Sequence, residues 1–207
     1  HPAGCSRSAF RRRGRCRREI MTRPWLAIEC GGDTFSVALQ GFGDDGVLTG
    51  DGGANVSTAL LPAVTDLLAR HGLRADQLAG VAFGCGPGSF TGVRTACAVA
   101  QGLAWGGGRL PVLPVESLMA VAERARNDAG VTDAWTAMDA RMGEMYVGHY
   151  RWQVGAGWQR VGELALVRPA LACLPSGATL VGNAARVHAE ALRVAGVDPD
   201  QAVDSAV

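Results

Sequence analysis

Residues 84–106, GCGPGSFTGVRTACAVAQGLAWG, constrain the fold more than any other stretch. Glycines at 84, 86, 88 and 92 lead from an apolar run, LAGVAFG, into a segment with helical spacing. That reads as a strand, a tight turn and a helix held close to its neighbours, the basic α/β unit. The same glycines could cradle a phosphate. A Walker A loop needs a lysine, and the chain has none. A nucleophile elbow needs glycines two residues either side of the serine, whereas Pro87 and Thr91 flank Ser89. Gly84, Gly86 and a misplaced Gly88 meet the Rossmann pattern only loosely. What survives is an anion at the helix N-terminus, with Ser89 and Thr91 as caps and Arg94 one turn in. The competing reading is packing. Gly92, Ala96, Ala100 and Ala104 recur every four residues, with Val93, Cys97, Val99 and Leu103 beside them. Such a stripe lets another backbone approach, either inside the chain or from a second chain.

The rest of the chain repeats one scheme. WLAIEC, TFSVALQ and VLTGD read as strands, VSTALLPAVTDLLARHG as a helix capped at Ser57 or Thr58, and LPVLPV as a strand before a helix capped at Ser117. Pro62 is expected within the first turn of its helix, where N–H groups lack partners anyway. The scheme then restarts with strands AWTAMDA, EMYVGHYRW, WQRVGELALV and ATLVG and a helix AARVHAEALRVAG. Glu29 and Asp33 in the first part are echoed by Asp139 and Glu144, with an offset of 110 residues between Glu29 and Asp139. The order strand, acid, acid, hairpin strand implies a duplicated α/β unit.

Composition narrows the function. With 48% hydrophobic and 19% charged residues the chain suits a soluble globular protein, and no apolar run reaches membrane-spanning length. Residues 1–20 hold seven arginines and one acid, so the remainder is mildly acidic, which argues against unaided nucleic-acid binding through a broad basic face. This leader, ahead of Met21, is expected to be non-native or disordered; a targeting or nucleic-acid arm is the alternative. Cys5, Cys16, Cys30, Cys85, Cys97 and Cys173 form no C-x-x-C pair, and the four histidines no H-x-x-x-H. The four acids Glu29, Asp33, Asp139 and Glu144 could gather at strand ends around Mg²⁺, which would make the chain an ATPase or metal-dependent hydrolase. No metal site is expected from the histidines and cysteines, and no nucleophile arrangement supports a peptidase.

The 84–106 stretch resembles the signature of the bacterial TsaB (YeaZ) family of tRNA threonylcarbamoyladenosine biosynthesis proteins. MDARMGEMY (138–146) resembles its second signature, and WLAIECGGDTFSVAL (25–39) its opening strand pair. The resemblance implies an actin-like ATPase (ASKHA) α/β fold of two ribonuclease-H-like subdomains, here 21–115 and 116–207, the second expected to be incomplete at its C-terminus. It implies a cytoplasmic, non-catalytic relative of TsaD that pairs with TsaD or with a second copy of itself, is joined by TsaE, and meets tRNA through the complex. It implies no cofactor bound by this chain alone, with ATP and Mg used by the complex. Carried over by position, the partner interface comprises Gly86, Pro87, Gly88, Ser89, Phe90, Thr91, Gly92, Arg94, Ala96, Ala100 and Ala104. Glu29, Asp33, Asp139 and Glu144 would be vestigial nucleotide or metal positions, although the family usually has Asp where Glu29 stands. Val56 likewise takes the place of a common histidine.

Overall fold

The computed structural model describes residues 23–204, so the arginine-rich leader lies outside the described residues. A first sheet has the order β3-β2-β1-β4-β5, built from β1 (Trp25–Glu29), β2 (Thr34–Leu39), β3 (Val47–Asp51), β4 (Gly80–Gly84) and β5 (Val112–Val115). β1 pairs antiparallel with β2 and parallel with β4, and β4 runs parallel to β5. A second sheet has the order β8-β7-β6-β9, from β6 (Asp133–Arg141), β7 (Glu144–Gln153), β8 (Gly157–Val167) and β9 (Leu180–Val181). β6 pairs antiparallel with β7 and parallel with β9, as β1 does with β2 and β4. Val203 bridges Val181 in parallel, in the place that β5 takes beside β4. The duplication inferred from the echoed acids is therefore present as a repeated strand order.

Helical periodicity decides what covers each sheet. α1 (Val56–Arg70) and α2 (Phe90–Gly106) lie on one face of the first sheet. Leu60, Val64 and Leu67 of α1 and Ala96 and Ala100 of α2 join Leu26, Ile28, Phe35 and Val37 in one core. α3 (Ser117–Ala129) leaves β5 for the second sheet, burying Leu118, Val121, Ala122 and Ala125 against Ala134 and Tyr150. The opposite face of that sheet is covered by α4 (Ala184–Val187) and α5 (Ala189–Val194) through Ala184, Ala185 and Leu192.

Four local expectations need correction. Neither Ser57 nor Thr58 caps α1; a short 3-10 turn over Gly53–Asn55 leads into it, and the Thr58 hydroxyl donates to the Asn55 carbonyl at 2.9 Å. Pro62 sits inside α1, beyond its first turn. Pro62 and Thr58 are both on the exposed side, where water can serve the carbonyl that loses its donor. The single helix expected over 184–196 is broken at His188, whose backbone leaves the helical region (φ −118°, ψ 27°). Ser117 is the first residue of α3, not its side-chain cap.

The glycine turn answers the question it raised. An added Cβ at Gly92 would lie 1.8 Å from the Cys30 carbonyl oxygen, and one at Gly88 2.6 Å from the Gly31 Cα. One at Gly84 would lie 1.8 Å from a Glu29 carboxylate oxygen. These glycines let β4 and α2 close onto the end of β1. Gly92→Ala should therefore destabilise the chain by about 3 kcal/mol or more, because backbone cannot yield as a side chain does. Urea unfolding of the variant measures this, and wild-type stability would refute the close packing.

Candidate functional site

Glu29 is buried at the end of β1 and turned toward its own loop. Its Oε1 accepts from the backbone N–H of Cys30 at 2.9 Å and of Gly31 at 2.6 Å, and its Oε2 accepts from the Ser117 hydroxyl at 2.9 Å. Three donors leave the carboxylate satisfied and tie β1 to the start of α3. The neighbouring residue, Glu116, takes the other half of the molecule: its Oε2 accepts from the Tyr150 hydroxyl at 2.7 Å, and its Oε1 from Arg160 at 2.9 Å. The Gly turn is pinned to the same junction, since Cys85 N–H donates to the Val115 carbonyl and Ser117 N–H to the Gly86 carbonyl, each at 2.8 Å.

A cleft of about 360 Å³ separates the halves, lined by Gly31, Gly32 and Gly88 on one side and Asp139, Arg141 and Asn183 on the other. Asp33 pairs with Arg141 across it. Asp139 Oδ1 pairs with His188 Nε2 at 2.9 Å and accepts from Arg141 N–H at 3.2 Å, while Asp139 N–H donates to Asn183 Oδ1 at 3.0 Å. Glu144 stands half-buried at the start of β7. The four acids thus do not converge: Glu29 serves backbone amides, and Asp33 and Asp139 serve Arg141 and His188. Among the described residues no three His, Cys, Asp or Glu side chains are grouped to hold a metal ion. His188 and Asn183, which complete the Asp139 environment, carried no spacing signal in the sequence.

At the N-terminus of α2, Ser89 is the cap, its hydroxyl accepting from Gly92 N–H at 3.3 Å. Thr91 is not; its place is the exposed first turn. Arg94 lies over this end of the helix: its guanidinium sits 3.5 Å above the ring of Phe90, the first residue of α2.

The stripe expected to meet a partner needs correcting in its phase. Gly92, Ala96, Ala100 and Ala104 are buried in the chain's own core. Gly86 is also buried, and Pro87, Gly88 and Ser89 are partly covered, whereas Phe90, Thr91 and Arg94 are exposed. A second small stripe, Ala98, Gly102 and Gly106, lies two residues out of phase and faces out. With Leu61 of α1 and Val99 and Leu103 it forms an apolar groove of about 530 Å³. Phe90 (69% exposed) and Trp105 (73% exposed) stand near the two ends of the same helix. A Cβ at Gly102 or Gly106 would meet nothing within 4 Å. Glycine inside a helix costs about 0.5–1 kcal/mol relative to alanine, and among the described residues no close contact repays it at Gly102.

Buried groups make the junction sensitive to base. Burial, with the Glu29 charge adding, pushes the Cys30 thiol up to about 12. Burial and then the hydrogen bond to Glu116 raise the Tyr150 hydroxyl well above the usual phenol range. Both stay protonated in the folded chain where the unfolded chain has already lost the proton. Their contribution is complete below about pH 8.5 and declines as pH rises above that. Urea unfolding should show stability falling between about pH 9 and 11, with a shallower fall for Cys30→Ala; parallel curves would contradict this origin.

Comparison with known proteins fits this geometry. Residues 42–174 match the family model TsaD, tRNA N6-adenosine threonylcarbamoyltransferase. The chain is 40% identical over 110 residues to the tRNA threonylcarbamoyladenosine biosynthesis protein TsaB of Escherichia coli K12, covering 53% of this chain and 47% of that one. It is 39% identical over 121 residues to the Haemophilus influenzae protein of the same name, covering 58% and 51%. The chain thus spans about half the length of the curated relatives it matches. The solved structure of YeaZ from Pseudomonas aeruginosa superposes with a TM-score of 0.69 at 30% identity, covering 90% of this chain and all of that one. Its α/β architecture is the actin-like ATPase fold, and the chain belongs to the TsaB (YeaZ) family.

Proposed function

We propose that the chain is a docking subunit in tRNA threonylcarbamoyladenosine biosynthesis. It pairs with TsaD through the outer faces of α1 and α2, TsaE joins the pair, and the reaction belongs to TsaD. The complex uses ATP and Mg to move the threonylcarbamoyl group from threonylcarbamoyl-AMP to the adenosine 3′ of the anticodon, in tRNAs reading codons that begin with adenine. The observation that carries this reading is Gly102, an exposed mid-helix glycine beside Leu61 and Trp105 with open space over it. A missing side chain that serves no contact among the described residues suits the close approach of another backbone. The scattered acids support the same reading, since an ATPase or hydrolase needs them gathered.

Two measurements test it. Gly102→Ala should stabilise the isolated chain by about 0.5–1 kcal/mol, a rise of a few degrees in Tm, and yet weaken co-purification with TsaD. Reconstituting TsaD, TsaE, tRNA and ATP with and without the chain should show modification only when it is present. Transfer by this chain alone, or undiminished modification without it, would sink the proposal.

A further inference from the structure

The two halves of the molecule share very little. Each core cluster draws its residues from one half alone: Leu26, Ile28 and Ala96 belong to the first, Leu118, Tyr150 and Leu192 to the second. Among the described residues, three hydrogen bonds join 23–115 to 116–204, two at Ser117 and one at Arg141. Ser117 N–H donates to the Gly86 carbonyl, and its hydroxyl donates to Glu29. The third bond is the pair that Arg141 makes with Asp33 across the cleft. Two units without a common apolar core can turn about the segment that joins them. Here that segment is the crossing from β5 to α3, Val115–Ser117. The Ser117 bonds lie at this pivot, whereas opening the cleft must break Asp33 from Arg141.

Both ends of that pair rest on prepared backbone. Arg141 and Met142 take φ of +67° and +53°, a left-handed region that is costly for residues with side chains. Arg141 N–H donates to Asp139 Oδ1, which His188 also holds, so the base of the turn is anchored in the second half. On the other rim the Asp33 carbonyl accepts from Gly52 N–H at 2.8 Å, which ties its loop to the end of β3. The two side chains are each more than half exposed, so the pair forms and breaks readily and biases an equilibrium by about two- to fivefold. We propose that Asp33 and Arg141 form a clasp that holds the cleft shut. Its release lets the halves turn about Val115–Ser117 and opens Met138, Asp139 and Asn183 to solvent. The clasp acts within one chain and stands apart from the docking proposal.

Methyl NMR of the methionine-labelled chain with a soluble nitroxide reads the opening. Met138 lines the cleft and is 7% exposed, whereas Met145 is fully buried in the core of the second half. Asp33→Asn and Arg141→Gln should each raise nitroxide relaxation of the Met138 methyl about two- to fivefold and leave Met145 unchanged. Raising NaCl to about 500 mM should do the same to the parent chain. Asp33→Arg combined with Arg141→Asp should restore the parent value, since aspartate tolerates the left-handed region. Both positions are exposed, so the variants should keep the parent Tm to within about a degree or two. Single variants that leave Met138 as protected as in the parent would overturn the clasp. So would a joint rise at Met138 and Met145, which would mean that the second half itself has loosened. A reversed pair that stays as open as the single variants would overturn it as well.

Discussion

The molecule depends on how closely the chain after β4 can approach the end of β1. A carboxylate buried there, Glu29, has its oxygens occupied by two backbone amides of its own loop and by the hydroxyl that opens α3. An unpaired buried carboxylate would be costly, so the loop after β1 and the start of α3 are held to it. The glycine turn fits over this arrangement because Gly84, Gly88 and Gly92 bring no side chains to the contact. From that junction, Glu116 and Ser117 send one side chain into each half, so the relation between the two sheets is fixed where the chain crosses between them.

α2 has two faces with opposite tasks. Its inward stripe is small because the helix lies on β1 and β4, and its outward stripe is small although none of the described residues lies over Gly102 or Gly106. The first follows from packing within the fold. The second has no such cause among the described residues, and that difference is what the docking proposal rests on.

Much of this was legible beforehand, and the failures have physical causes. Alternating and apolar runs located the strands, and the echo of Glu29 and Asp33 in Asp139 and Glu144 anticipated the repeated strand order. Which small stripe faces inward was harder. Gly92–Ala96–Ala100–Ala104 and Ala98–Gly102–Gly106 share one period and differ only in phase. The half-buried neighbours Val93, Cys97 and Leu103 were the available clue that the first stripe belongs to the core. Acid spacing also misled, because the Glu29 side chain bonds amides one and two residues on, a local choice that spacing does not encode. The break at His188 was invisible to periodicity, since the ring bonds Asp139 from 49 residues away.

Because α2 keeps its exposed groove and its core contacts on separate sides, the two can change at different rates. Residues such as Gln101 or Trp105 can be exchanged without repacking anything beneath them, whereas the inward glycine and alanines tolerate almost no added volume. A lineage can thus alter the outward side of this helix while its scaffold stays still, and sequence drift in it should concentrate on that side.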